Sequence, residues 1–142
     1  MMGLREWLNR VRGRPGARAP SSEFERPLDA IAALVRLAAS DADGDRWITL
    51  WGEADGRSAL IELAQNEINF CRERIDLPSV LIWAGLEALA GSVKAGGRRN
   101  DDQTRWTAEG CSPYELAAIV DAVFSFGFEL GAGYTLEGQY HD

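Results

Sequence analysis

The sequence predicts an α+β fold in which a small, mainly antiparallel sheet packs against three helices, with a basic N-terminal arm before it. Apolar residues recur with helical and strand periods in the order helix, two or three strands, helix, loop, helix, strand. The first two strands lie close enough in sequence for a hairpin, which favours antiparallel pairing. The length of 142 residues and the hydrophobic content of 46% fit one globular domain. We therefore expect an arm and linker over residues 1–20 and a single domain over residues 21–142.

Charge is divided unevenly between the arm and the body. Residues 1–20 carry five arginines and one acid, or +4, whereas the rest of the chain carries −11, for a total of −7. Four apolar residues of the arm stand at the spacing of a short basic helix: Leu4, Trp7, Leu8 and Val11. Because an isolated helix of this length is marginal in water, we favour a frayed tail over that helix. Proline and glycine over residues 13–20 predict a linker. The arm would make at most a weak contact with a membrane or a partner, while the acidic body repels nucleic acid and attracts basic proteins.

The first helix and a hairpin follow the arm. Ser22 and Glu25 have the spacing of a capping box at a helix start. The apolar face of that helix is Leu28, Ile31, Leu34, Val35 and Ala38. Residues 46–51 and 57–63 then predict two strands, and the glycines within residues 52–56 predict the loop between them. An extension of the second strand to Phe70 stays open.

The second half of the chain contains two more helix starts and a final strand. Proline at 78 favours a helix from residue 77, whose apolar residues are Leu81, Ile82, Leu86 and Leu89, and which Gly91 can end. Residues 94–105 are rich in Gly, Arg, Asn and Asp and predict a loop, after which Trp106 can begin a short strand. Ser112 and Glu115 form a second capping-box pattern before another helix. Alternation of Tyr134, Leu136 and Tyr140 with polar residues predicts a strand with one buried face.

Motifs for metal binding or nucleophilic catalysis are weak. Residues 41–45 resemble the start of a calcium loop, but Arg46 stands where that loop needs glycine and Gly52 where it needs glutamate. The one histidine, His141, lies beside the C-terminal residue, which disfavours both a zinc site and a Ser-His-Asp triad. Cys71 and Cys111 lie forty residues apart without the spacing of a metal or redox motif. We therefore assign no cofactor and no metal, and we expect a reducing cytoplasm.

Three functions remain open. A non-enzymatic acidic protein would bind and neutralise a basic partner, as immunity proteins and antitoxins do. A chaperone-like protein would hold a peptide segment against an aromatic sheet face or an open strand edge. A small enzyme without a recognisable motif would use Glu and Asn side chains, and Asn66 and Asn69 beside Glu67 either bind a polar ligand or close a turn. The negative charge of the body and the lack of a catalytic motif favour the first function.

The candidate partner-binding residues combine acids with tryptophans. Partly exposed tryptophans surrounded by charge are typical of binding hot spots. Trp47 and Trp51 are four residues apart and would share a strand face. The predicted contacts are Trp51, Glu53, Asp55, Glu62, Glu67, Asp101, Asp102 and Trp106. A homodimer would follow if the C-terminal strand left an edge unpaired.

The order of elements resembles that of two groups of small bacterial proteins. It runs from the helix at 28–38 through strands at 47–50 and 59–63 to the late helix that begins Ser-Pro-Tyr-Glu at 112–115. This order, over residues 22–140, is similar to that of proteins related to type III secretion chaperones and YbjN, and to that of acidic immunity proteins of toxin systems. The resemblance implies a bacterial, protein-binding role and carries over no functional residue.

Overall fold

The protein is an α+β structure built on one antiparallel sheet. The computed structural model describes residues 18–20, 27–39, 47–64, 67–71, 75–100 and 103–141. The strands are β1 (Arg18–Pro20), β2 (Trp47–Ala54), β3 (Arg57–Ala64), β4 (Glu67–Cys71), β5 (Lys94–Asn100), β6 (Gln103–Thr107) and β7 (Thr135–His141). The helices are α1 (Pro27–Ala39), α2 (Leu77–Trp83), α3 (Glu87–Ala90) and α4 (Pro113–Ala122), which continues into a π-helical turn (Val123–Gly127). The predicted fold class is confirmed. The proposed capping box at Ser22, the calcium-like segment and most of the arm lie outside the described residues.

The sheet has the strand order β1-β7-β2-β3-β4-β6-β5, and every pair is antiparallel. The last strand of the chain is therefore inserted beside the first hairpin, between β2 and β1. Residues 137–139 of β7 pair on both sides, so these positions do not leave the unpaired edge on which a homodimer through this strand would depend. β1 itself falls within the stretch that the sequence predicts as linker.

The β2–β3 hairpin turns over only two residues. Asp55 and Gly56 both have positive φ, 52° and 78°, as a type I′ turn requires. Gly52, which the sequence places in the loop, instead lies within β2, where the Phe124 ring packs directly against its backbone. A Cβ added at Gly52 would come within 2.7 Å of Phe124 Cδ1. The glycine is a packing residue and not a turn residue.

The helices cover one face of the sheet and form the core with it. α1 packs on α4 and lies against β7 and β2 of the sheet. Leu34 of α1 sits so close to Gly138 that any side chain there would overlap it. The largest fully buried side chains are Phe70, Phe124, Ile31, Leu34, Ile48, Leu50, Ile61, Ile68, Leu77, Leu81, Ile119 and Leu136. Burial of this apolar set is the main stabilising contribution to the fold.

Polar contacts fix both ends of α4. The capping box is confirmed: the Glu115 N–H donates to Ser112 Oγ at 3.1 Å, and the Ser112 N–H donates to Glu115 Oε1 at 2.9 Å. The Ser112 N–H, and after it the Ser112 side chain, lower the pKa of the Glu115 carboxyl by hydrogen bonding to it. Near the other end, the Tyr134 hydroxyl donates to Asp121 Oδ1 at 2.7 Å, which ties the start of β7 to the helix. Burial raises the pKa of Tyr134, and this hydrogen bond raises it further.

Two predicted elements differ from the structure. The segment 94–105, predicted as a loop, forms the edge hairpin β5–β6, because strand pairing with β4 needs backbone groups rather than an apolar side-chain pattern. Register shifts in β5 match its glycine-rich sequence. The helix predicted from residue 77 breaks at Gly85, where φ is 80°, into α2 and α3. The strand that could have extended to Phe70 is instead two strands, β3 and β4.

Candidate functional site

The face of the sheet opposite the helices is polar. Side chains alternate along each strand, so the register that turns Leu50 and Ile61 into the core turns their neighbours to the other side. We define the polar face by the described side chains that share this second side on β2, β3, β4, β6 and β7. They are Thr49, Trp51, Glu53, Ser58, Leu60, Glu62, Ala64, Glu67, Asn69, Arg105, Thr107, Thr135 and Glu137.

Four glutamates give this face a negative surplus. Glu137, Glu53, Glu62 and Glu67 come from the four adjacent strands β7, β2, β3 and β4. Glu53 and Glu137 are exposed, while Glu62 and Glu67 are half-buried. Described cations on this side include Arg105 and Lys94, toward the β5 edge. On β2 and β3, the described side chains of this face include the acids Glu53 and Glu62 and no cation.

Arg105 is held by two groups. Its Nη1 lies 3.5 Å from Glu67 Oε1, and its Nη2 donates to the Gly96 carbonyl at 2.9 Å. The side chains of Arg105 and Glu67 are 37% and 33% exposed. An ion pair of this length and exposure is weak, worth about 0–1 kcal/mol. The pair offsets the charge of Glu67 locally and involves neither Glu53 nor Glu62.

Asn69 is an unusual residue at the centre of the polar face. It is paired on one side with Glu62 of β3 and on the other with Arg105 of β6. Its side chain is only 1% exposed, yet neither Oδ1 nor Nδ2 has a hydrogen-bond partner among the described groups. The adjacent Nε of Arg105 is likewise buried and unpartnered there. Unpaired buried polar groups are costly, so they mark positions where another molecule can supply the missing partners.

The predicted contact residues divide into three groups. Trp51, Glu53, Glu62 and Glu67 come together on the polar face, and Trp51 is half-buried between Leu60 and Glu137 in the register. Asp55 lies in the exposed hairpin turn at the end of β2. Trp106 aligns with buried Ile68 and packs against the core, on the other side of the sheet. Asp101 and Asp102 lie outside the described residues.

An exposed aromatic patch on the helix side was not anticipated from the sequence. Ile82, Trp83 and Phe126 are 52%, 66% and 37% exposed, and the rings of Trp83 and Phe126 have centroids 5.6 Å apart. The periodicity of α2 had placed Ile82 with the core residues. The break at Gly85 ends that helix early and leaves Ile82 and Trp83 toward solvent. We call these three residues the aromatic patch.

The described residues include a free thiol, but neither a metal-ligand cluster nor a membrane-spanning helix. Within them, no three His, Cys, Asp or Glu side chains converge as a metal site, and no helix has the length and apolar character needed to cross a bilayer. Cys111 is a half-buried free thiol whose pKa is raised by burial and by the nearby Glu115 carboxylate. Such a thiol is a poor nucleophile because its thiolate is disfavoured.

Comparison of the chain with protein-family models, with curated proteins and with solved structures found no match. The resemblance to immunity and chaperone-like proteins therefore stays a prediction. The polar face and the aromatic patch are therefore the two surface features that indicate a function.

Proposed function

We propose that this chain is a non-enzymatic protein-binding module whose polar face binds a basic protein. The observation that carries this proposal is the register, which brings glutamates of four adjacent strands together on the side that the described helices leave uncovered. An immunity or antitoxin-like role, neutralising a basic bacterial partner in the cytoplasm, is the form of this function that we favour. The overall charge of −7 supports such a role.

The spacing of the acids supports electrostatic attraction. Four adjacent strands span about 14 Å, since neighbouring strands lie about 4.8 Å apart. By the register, Glu53 and Glu137 are offset by two residues, and so are Glu62 and Glu67, which places each pair about 8 Å apart, near one Debye length at physiological salt. Glu53 and Glu62 are four residues out of register and about 14 Å apart. The fields of the glutamates add most strongly within each pair, and a cationic partner is attracted before contact. Such attraction mainly raises the association rate constant and makes it depend on salt.

Trp51 gives the same surface an apolar anchor. It lies half-buried beside Leu60 and is bordered by Glu53 and Glu137. Large aromatic side chains within a charged border supply much of the affinity of protein interfaces. We expect the acids to accelerate encounter and Trp51 to slow dissociation.

A matched pair of charge variants tests this function. Tagged protein captures its partner from host cells, and the purified pair is then studied by stopped-flow at several salt concentrations. Glu53→Gln with Glu62→Gln should lower the association rate constant and flatten its salt dependence. Glu87→Gln with Glu109→Gln removes the same charge from exposed positions on α3 and before α4. If both double variants slow association equally, the polar face is not the binding surface.

A chaperone-like function is the second candidate, and the aromatic patch favours it. Ile82, Trp83 and Phe126 expose apolar area that a peptide segment of another protein could cover. Under this alternative, Trp83→Ala would abolish capture of extended apolar peptides, while Glu53→Gln would leave it unchanged. The opposite pattern favours the acidic binding module.

A further inference from the structure

We propose that the centre of the polar face is a recognition site for an amide group, bound by Asn69 and Arg105. The proposal depends on hydrogen-bonding groups and not on net charge, so it holds whether or not the partner is basic. Asn69 lies on β4, which is flanked by β3 and β6 and is not an edge strand of the described sheet. Its position is fixed by backbone pairing on both sides.

The unpartnered atoms define what a ligand must offer. Asn69 Nδ2 and Arg105 Nε are donors, and Asn69 Oδ1 is an acceptor. The two residues are directly opposite each other, so their Cβ atoms are about 4.5–5.5 Å apart. Arg105 Nη2 donates to the Gly96 carbonyl and Nη1 lies beside Glu67 Oε1, while Nε has no described partner. The site thus presents two donors and one acceptor on two directly paired residues.

An amide group satisfies all three atoms. Its carbonyl oxygen has two lone pairs and can accept from both Asn69 Nδ2 and Arg105 Nε, while its N–H donates to Asn69 Oδ1. Because the amide is neutral, it brings no charge beside Glu62, Glu67 or Arg105. A side-chain carboxamide can form this pair of bonds because one N–H of its NH₂ group lies on the same side as its carbonyl oxygen. A trans peptide group cannot, because its N–H and C=O point in opposite directions.

Charged ligands fit less well. A carboxylate cannot donate to Asn69 Oδ1, and it would be repelled by Glu62, which is opposite Asn69, and by Glu67. A guanidinium or ammonium group cannot accept from Asn69 Nδ2 or Arg105 Nε, and it would be repelled by Arg105. Each would leave at least one buried polar atom without a partner, which selects against it.

The ligand has a route to these atoms through the neighbouring ion pair. The Glu67 and Arg105 side chains are about one-third exposed and are 3.5 Å apart at their charged ends. Because such a pair contributes little to stability, its outer atoms can shift at small cost. Backbone pairing holds the strands while the side chains move.

The test is a titration of the full-length protein followed by NMR of side-chain N–H groups. The probe is acetamide, a primary amide, with N-methylacetamide as a trans secondary amide and with sodium acetate and guanidinium chloride as charged comparisons. We expect saturable shifts of the Asn69 NH₂ and Arg105 Nε–H signals with acetamide and weaker shifts with N-methylacetamide. Equal or larger shifts with N-methylacetamide, acetate or guanidinium, or no saturation with acetamide, would overturn the proposal.

Variants separate binding from folding. Asn69→Leu and Asn69→Ala should each weaken amide binding at least tenfold. Asn69→Leu should also leave the urea midpoint unchanged or raise it, because it removes a polar group that has no described partner. Thr49→Val is the control, because Thr49 lies on the same face of the sheet, opposite Glu62, is 6% exposed and has an interaction partner. This variant should lower the urea midpoint and leave amide binding unchanged. Amide binding that survives both Asn69 substitutions would refute the assignment.

Discussion

Replacing Gly52 by alanine should destabilise the protein, although the same change usually stabilises a strand. Where the backbone conformation is compatible, Gly→Ala gains about 0.4–1 kcal/mol by restricting the unfolded chain. At Gly52 the new Cβ would lie 2.7 Å and 2.9 Å from Phe124 Cδ1 and Cε1, and 3.0 Å from Leu130 Cδ1. Favourable carbon contacts begin near 3.5 Å. The substitution therefore creates an overlap within the core.

The magnitude depends on whether Phe124 can move away. Its side chain is fully buried, and its ring lies against Phe128 and Tyr134 with centroid distances of 6.2 Å and 5.2 Å. Overpacking of such a site costs about 1–3 kcal/mol. After subtraction of the backbone gain, we expect Gly52→Ala to lower the free energy of unfolding by about 1–2 kcal/mol.

Urea unfolding, followed by tryptophan fluorescence, measures this change. Gly133→Ala is the matched control because a Cβ there would meet nothing within 4 Å. The double variant Gly52→Ala with Phe124→Leu tests the mechanism, since a smaller side chain should recover part of the loss caused by Gly52→Ala. A neutral or stabilising Gly52→Ala would refute the close packing of helix on sheet at this strand.

Further predictions concern the two ends of α4. Tyr134→Phe should lower the free energy of unfolding by about 1.5 kcal/mol, because it removes a hydrogen bond to the Asp121 carboxylate. Tyr114→Phe is the control, since Tyr114 is exposed and its replacement should change the free energy of unfolding little. Equal effects of the two substitutions would contradict this account. Ser112→Ala should cost about 1 kcal/mol by loss of the N-cap, and calorimetry showing no change would contradict the cap. The pKa of Glu115 is lower in the folded state than in the unfolded state. The ionised Glu115 carboxylate therefore stabilises the fold fully above the unfolded pKa of about 4.3, and this stabilisation is lost as pH falls through the lower folded pKa. The difference in urea midpoint between the wild type and Glu115→Ala should accordingly shrink in acid, and a difference that is independent of pH would show that the charge is not involved.

Local signals in the sequence predicted those elements whose periodicity or caps are strong. Ser112 and Glu115 mark the start of α4, and alternation around Leu136 marks β7. The hairpin of β2 and β3 was also predictable, but its turn was assigned too long because Gly52 resembles a loop residue. Only the tertiary contact with Phe124 explains that glycine.

The sequence did not predict the elements and surfaces that depend on long-range pairing. β5 is a polar, glycine-rich edge strand, so no apolar alternation reveals it. Glu53 and Glu62 could be chosen as candidates from charge, but their common face follows only from the strand register. The significance of Asn69 depends on burial between β3 and β6, and an asparagine beside other polar residues is equally typical of a turn.

Mapping of the bound partner by NMR tests the central claim most directly. The isotope-labelled protein is titrated with its purified partner, and shifts of backbone amides and of the tryptophan indole N–H groups are recorded. We predict the largest shifts along β2, β3 and β4 around Glu53, Glu62 and the Trp51 indole. Shifts confined to Trp83, Phe126 and their neighbours, with the polar face unchanged, would contradict the account.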